Sequence, residues 1–141
     1  QFKGLAQRVK DLHQGILSDK NIEFQISDTE LEILVDPILM EQVFINLVTN
    51  AIYALENTVQ ASIHISAEKD GSKNIIRVCD NGTGIPEKEI SDIFIPFFST
   101  REQGSGIGLS LSRQIVSLHN GAIRVESTWG KGTCFIISLP A

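Results

Sequence analysis

Hydrophobic residues recur along the chain with two periods. In QFKGLAQRVKDLHQGILSDK the apolar positions Leu5, Val9, Leu12 and Ile16 keep helical spacing, which predicts a helix over residues 1–20. IEFQIS alternates and reads as a strand, and LEILV reads as another. DPILMEQVFINLVTNAIYALEN predicts a helix with Asp36 as its N-cap and Pro37 in its first turn. That helix is apolar on most faces, so it should be buried. ASIHISAEK and NIIRVCD read as an antiparallel pair joined at DGSK. SGIGLSLSRQIVSLHNG reads as a helix closed by Asn120 and Gly121, and AIRVEST and TCFIISLP as a hairpin around WGKG. This order predicts an α+β fold: a two-layer α/β sandwich with helices packed on one face of a mixed, mostly antiparallel sheet.

Length and composition narrow the function. The 141 residues fit one domain, and 42% hydrophobic content is enough for a core. Lys plus Arg number 12 against 17 Asp plus Glu, a net charge of −5, which argues against a nucleic-acid partner. An anionic small ligand held by backbone amides remains open. The apolar stretch VFINLV is far too short to span a bilayer, so no direct membrane contact is expected of this domain. No signal peptide is present, and the chain begins at Gln1 without Met, so a fragment of a longer, cytoplasmic protein is expected. Cys79 and Cys134 lie in apolar strand-like runs and read as buried, reduced thiols. No Cys/His spacing suggests zinc.

Three clusters carry candidate chemistry. Gln42, Asn46 and Asn50 fall at i, i+4 and i+8 on one stripe of the apolar helix, with Thr49 beside them. A buried amide without a partner costs roughly 1–3 kcal/mol, so a stripe of amides facing one way points to a polar site. A carboxamide oxygen is also a fair ligand for Mg²⁺. In DNGTGIP, Asp80 ends a strand; its carboxylate suits an exocyclic amine such as that of adenine, or simply starts an Asx-turn. Gly82 and Gly84 then serve the turn or let a flat ring approach the backbone. GSGIGL, from Gly104 to Leu109, opens a helix whose N-terminal amides attract phosphate. It is neither a dinucleotide-binding fingerprint nor a Walker loop. Ser99 and Arg101, just upstream, either meet a terminal phosphate or are solvated.

In order and spacing these motifs resemble the catalytic and ATP-binding domain of bacterial two-component sensor histidine kinases, within the superfamily shared with gyrase, heat-shock chaperone and mismatch-repair ATPases. EQVFINLVTNAIYAL is similar to the family's N box and DNGTGIP to its first glycine box. IFIPFFSTREQGSGIGLSLSRQIVSLHNG is similar to its F box, ATP lid and second glycine box, and GKGTCFIISLP to its closing strands. The resemblance implies ATP and Mg²⁺ as cofactors. It implies that Asn50 coordinates Mg²⁺, that Asn46 lies near the terminal phosphates and that Asp80 binds the adenine amino group. Gly82 and Gly84 would shape the loop under the ring, Ile85, Ile95, Phe97 and Phe98 would wall the base or anchor the lid, and Arg101 would touch the γ-phosphate. Gly104, Ser105, Gly106, Ile107, Gly108 and Leu109 would form the lid and its phosphate-binding amides, and Thr133 would reach the adenine edge.

Two features depart from the family pattern. His13, His64 and His119 all lie outside an H-E-[LI] context, so the phosphoacceptor dimerisation hairpin is expected to be absent from 1–141; His119 reads as structural. Tyr53 stands where several relatives have a basic residue. The implied activity is transfer of the γ-phosphoryl group of Mg-ATP to a histidine on the parent protein's dimerisation domain, then signalling to a response regulator. The alternatives are an ATPase or an anti-sigma-factor serine kinase of the same superfamily, or a non-catalytic nucleotide-binding module. The catalytic alternatives typically carry Glu at position 46 as general base, and Asn46 cannot abstract a proton.

Overall fold

The computed structural model describes residues 1–96, 98 and 108–141. Among them the chain runs α1 (Phe2–Leu12), α2 (Gln14–Asp19), β1 (Glu23–Ile26), α3 (Pro37–Ala54), β2 (Ser62–Asp70), β3 (Lys73–Asp80), α4 (Glu87–Ile90), α5 (Gly108–Leu118), β4 (Ala122–Thr128) and β5 (Gly132–Pro140). The five strands form one sheet in the order β1-β2-β3-β5-β4. β1 pairs parallel to β2, and the other neighbours are antiparallel. This is the α+β architecture expected from the sequence.

Strand alternation divides the sheet into two faces. Ile63 and Ile65 of β2, Ile76 and Val78 of β3, and Phe135 and Ile137 of β5 are buried toward the helices. α3 lies on them and buries Met40, Val43, Phe44, Leu47 and Val48 completely. Its N-terminus is set by Asp36, whose Oδ1 accepts from Ile38 N–H and Leu39 N–H at 2.9 and 3.1 Å. α1 closes one flank of the core, with Phe2 packed edge-on to Phe44 at 6.3 Å between ring centroids.

Local expectations fail at four places. The first helix breaks at His13, which sits outside helical geometry while its Nδ1 bonds the Val9 carbonyl at 2.8 Å. LEILV forms no strand. Leu31, Ile33 and Val35 instead pack against the core from an irregular segment, so their alternation reports one-sided burial without a partner strand. The short helix α4 follows Pro86 and carries no apolar period long enough to announce it.

The fourth is the pair of cysteines, expected as separate reduced thiols. Cys79 and Cys134 face one another across β3 and β5, half-buried on the sheet face away from the helices, and are joined as a disulfide with Cα atoms 4.1 Å apart. They are separated by 55 positions, so only strand register brings them together. Closing a loop of that length restricts the unfolded chain, and reduction is expected to lower the unfolding free energy by about 2–4 kcal/mol. Urea unfolding with and without dithiothreitol measures this; coincident curves would remove the stabilising role.

Candidate active site

The site forms where β3 ends and the chain leaves the sheet through residues 81–86. Asp80 continues the inward alternation of Asn74, Ile76 and Val78, so its side chain points toward the helical layer. The structure realises the Asx-turn: Gly82 N–H donates to Asp80 Oδ1 at 2.8 Å. Burial pushes the carboxyl up to about 6, and the Gly82 and Thr133 backbone N–H groups oppose that shift by stabilising the charged form. A carboxylate offers about four lone-pair sites, so two amide donors leave capacity for a ligand's N–H.

Thr133 pairs with Asp80 across the β3–β5 ladder and is buried. Its hydroxyl lies 2.9 Å from Ser127 Oγ. Ser127 Oγ donates to the Gly132 carbonyl at 2.9 Å and accepts from Ile85 N–H at 2.8 Å. One hydroxyl proton serves one acceptor, so Thr133 is the donor in the Thr133–Ser127 bond. Ser127 thereby ties the loop after Asp80 to the strand bearing Thr133. Sequence reasoning missed it; its only signal is a small polar residue at an inward position of AIRVEST.

Gly82 and Gly84 are required by protein backbone. A Cβ on Gly82 would lie 2.4 Å from the Ala54 carbonyl oxygen at the end of α3. Gly84 adopts φ +77°, and a Cβ there would lie 2.3 Å from the Thr128 carbonyl oxygen. The loop is wedged between α3 and the β4–β5 turn, and Thr83 N–H donates to the Ala54 carbonyl at 3.1 Å. This contact places the last turn of α3 against the loop that follows Asp80.

The amide stripe lies on α3. Gln42 is exposed and donates to Asn46 Oδ1 at 3.1 Å. Asn46 Nδ2 donates to the Gly108 carbonyl at 3.1 Å and to Ser112 Oγ at 3.2 Å, and Ser112 Oγ bonds the same carbonyl at 2.9 Å. Asn46 thus latches α3 to the first turn of α5. Ser112 is fully buried and was not anticipated. Asn50, one turn beyond Asn46 and nearer the loop, is half-buried, as is Thr49. His119 is structural, as expected: Nδ1 donates to the Ile115 carbonyl at 2.8 Å and Nε2 accepts from Asp36 N–H at 3.0 Å. It joins the end of α5 to the start of α3.

Ile85, Phe98 and Leu109 are half-buried against the core, whereas Ile95 and Tyr53 are exposed. Phe97, Ser99, Arg101, Gly104, Ser105, Gly106 and Ile107 lie outside the described residues. Among the described residues, no group of three or more His, Cys, Asp or Glu side chains is placed to hold a metal ion. No described helix is long and apolar enough to cross a membrane.

The geometry therefore gathers a half-buried acid on a strand end, a half-buried amide on α3 one turn before Ala54, which touches the loop after that acid, and the start of a glycine-preceded helix latched to that same α3. Residues 35–141 match the family described as histidine kinase-, DNA gyrase B- and HSP90-like ATPase. Sensor histidine kinase ZraS of Salmonella typhimurium is 39% identical over 120 residues, covering 84% of this chain and 25% of that protein. Sporulation kinase C of Bacillus subtilis is 37% identical over 127 residues, covering 89% and 29%. The chain thus spans about a quarter of the length of these curated relatives. Among solved structures, a nucleotide-free catalytic domain of histidine kinase ThkA superposes with a TM-score of 0.85 at 35% identity, covering 99% of this chain and 93% of that one. Full-length ShkA in complex with AMPPNP gives 0.88 at 26% identity, covering 99% and 30%. Fold, motif order and sequence identity together make this chain a member of the histidine kinase-, DNA gyrase B- and HSP90-like ATPase family, with sensor histidine kinases as its homologues.

Proposed function

We propose that this domain binds Mg-ATP and presents its γ-phosphoryl group to a histidine carried by the dimerisation domain of a cytoplasmic or membrane-anchored sensor kinase. The observation that carries the reading is Asp80: a carboxylate held inward at a strand end, with acceptor capacity left after its two backbone donors. It would accept from the adenine amino group, and Thr133 beside it would hold the ring edge. Asn50 would contribute a carboxamide oxygen to Mg²⁺, a fit in donor type and in its half-buried place on α3. The metal would supply charge neutralisation at the phosphates. Lid residues Gly104–Gly108 and Arg101 would offer amides and a guanidinium to the same groups. Catalysis would rest on positioning and electrostatics.

Asn46 favours transfer to histidine over hydrolysis. An ATPase of this superfamily needs a base near the terminal phosphate, whereas the Asn46 amide donates to Gly108 and Ser112 and has no basic atom. Within the chain, His13 and His119 are bonded to helix carbonyls, and His64 lies on the sheet face opposite Asp80. The acceptor is accordingly proposed to come from the parent's dimerisation domain, with a response regulator downstream.

Calorimetric titration with ADP and a non-hydrolysable ATP analogue, with and without Mg²⁺, tests the binding. Adding a histidine-bearing dimerisation hairpin tests the transfer. Asn50→Ala is expected to cost about tenfold in affinity with Mg²⁺ present and less than about twofold without it. Equal losses in the two titrations would remove the metal role from Asn50.

A further inference from the structure

On the face of the sheet away from the helices, the strand register lays four reactive side chains in one transverse row. His64 of β2 stands opposite Cys79, Cys79 opposite Cys134, and Cys134 opposite Glu126 of β4. Directly opposed residues share a face and hold their Cβ atoms about 4.5–5.5 Å apart. His64 and Glu126 are exposed and the two cysteines are half-buried, so the row is open to solvent. None of the four belongs to the site at Asp80, which lies on the other face of the sheet.

The row is asymmetric. An imidazole beside a thiol stabilises its thiolate, whereas a carboxylate beside one disfavours it. Cys79 has His64 as its neighbour on β2, and Arg77 precedes it on the same face. Arg77 is paired with Glu68 at 2.5 Å, which partly spends its charge. Cys134 has Glu126, itself paired with Arg124.

We propose that this row is a thiol–disulfide exchange site for low-molecular-weight thiols and disulfides, with Cys79 as the exchanging sulfur, Cys134 as its resolving partner and His64 as the group that stabilises the Cys79 thiolate. In the oxidising direction the Cys79 thiolate attacks a small disulfide RSSR. A Cys79–SR bond forms, the S–S bond of RSSR breaks, and RS⁻ leaves and takes a proton. The Cys134 thiolate then attacks the Cys79 sulfur and releases the second RS⁻, so two protein thiols and RSSR become one protein disulfide and two RSH. In reverse, an external thiolate RS⁻ attacks the Cys79 sulfur, the Cys79–Cys134 bond breaks and the Cys134 thiolate leaves and takes a proton; a second RS⁻ then attacks the outer sulfur of Cys79–SR, giving RSSR and the Cys79 thiolate beside His64. The cross-link occupies the rung next to the Asp80–Thr133 pair, so exchange opens or closes a covalent tie adjoining the candidate active site.

The test uses the whole chain and no nucleotide, so its outcome is independent of the kinase reading. Cys134→Ser and Cys79→Ser, each leaving one thiol, are incubated with glutathione disulfide, and the mixed disulfide is followed by intact mass. Cys79 is expected to react at least about fivefold faster than Cys134, and His64→Gln in the Cys134→Ser background to erase most of that advantage. The reduced wild-type chain is expected to pass to the internal disulfide without accumulating a mixed one. Equal rates at the two cysteines, indifference to His64→Gln, or a persistent wild-type mixed disulfide would each overturn the proposal. Cys134→Ala and Cys79→Ala repeat the comparison should either serine variant lose its circular dichroism signal.

Discussion

Asp80→Asn is expected to weaken ADP binding by about 10- to 100-fold while raising the melting temperature of the ligand-free protein. The two effects share one cause. Burial drives the Asp80 carboxyl to about 6 against the backbone donors that oppose it, so the charged form at neutral pH is a cost to the folded state. An amide keeps an acceptor for Gly82 N–H and carries no charge, which relieves roughly 1–3 kcal/mol at neutral pH. The same change replaces an ionised acceptor for the ligand's amine, a bond worth about 1.5–3 kcal/mol. A site that sacrifices stability for recognition is a common pattern at binding residues.

The pH dependence fixes the sign. The folded pKa lies above the unfolded value, so the folded state binds more protons between them. The stability associated with Asp80 is therefore full below the unfolded pKa, about 4, and is lost as pH rises through about 6. The mutant should melt higher than wild type at pH 7.5, and the gap should close by about pH 4. ADP affinity of the wild type should run the opposite way, falling about tenfold per pH unit below about 6 as the acceptor is protonated. Thermal melts and calorimetry over pH 4.5–8 measure both. A mutant that binds ADP like wild type sinks the adenine role; one that melts lower sinks the account of the charge.

Gly84→Ala is expected to lower stability by about 2–5 kcal/mol, combining the penalty of a side chain at positive φ with that of overpacking. Gly84 has φ +77°, and an added Cβ would meet the Thr128 carbonyl oxygen at 2.3 Å and Trp129 Cα at 3.1 Å. Neither neighbour can turn aside as a flexible side chain could, because both belong to the backbone of the β4–β5 turn. The Gly130 N–H bond to the Thr83 carbonyl, 2.6 Å long, pins that turn to the loop from the other side. Displacement would move Ile85 off Ser127 and so disturb Thr133 beside Asp80. ADP binding is expected to fall together with the melting temperature. Gly71→Ala is the control: it too has positive φ, 61°, but a Cβ there meets nothing within 4 Å, so its cost is confined to backbone strain. Equal destabilisation by the two variants would show that close approach at Gly84 contributes nothing.

The site was legible where a single stretch of chain carries its own reason. DNGTGIP placed an acid and two glycines in one turn, and the structure keeps all three there. The glycines serve the turn, one of the two roles the sequence left open, and α3 and the β4–β5 turn fill the space beside them that a pattern cannot see. Gln42, Asn46 and Asn50 announced a polar stripe, yet the partner of Asn46 proved to be Gly108 and Ser112, more than sixty positions away. Ser127 was invisible for a similar reason: its worth comes from bonds to Ile85, Gly132 and Thr133, and three chain segments must meet before it has any.

Periodicity and turn chemistry, both local, were enough for the class of fold, most element positions and the identity of Asp80 as the residue at the strand mouth, since each depends on neighbours within a few residues. Register and packing decided the rest. LEILV alternates like a strand, but a strand exists only where a neighbour completes its hydrogen bonds, and residues 31–35 have none in the sheet. Cys79 and Cys134 looked like two separate apolar thiols; the β3–β5 ladder made them one disulfide beside His64. Contacts between distant segments follow from how side chains fill a common core, and that sum is settled only when the whole chain has folded.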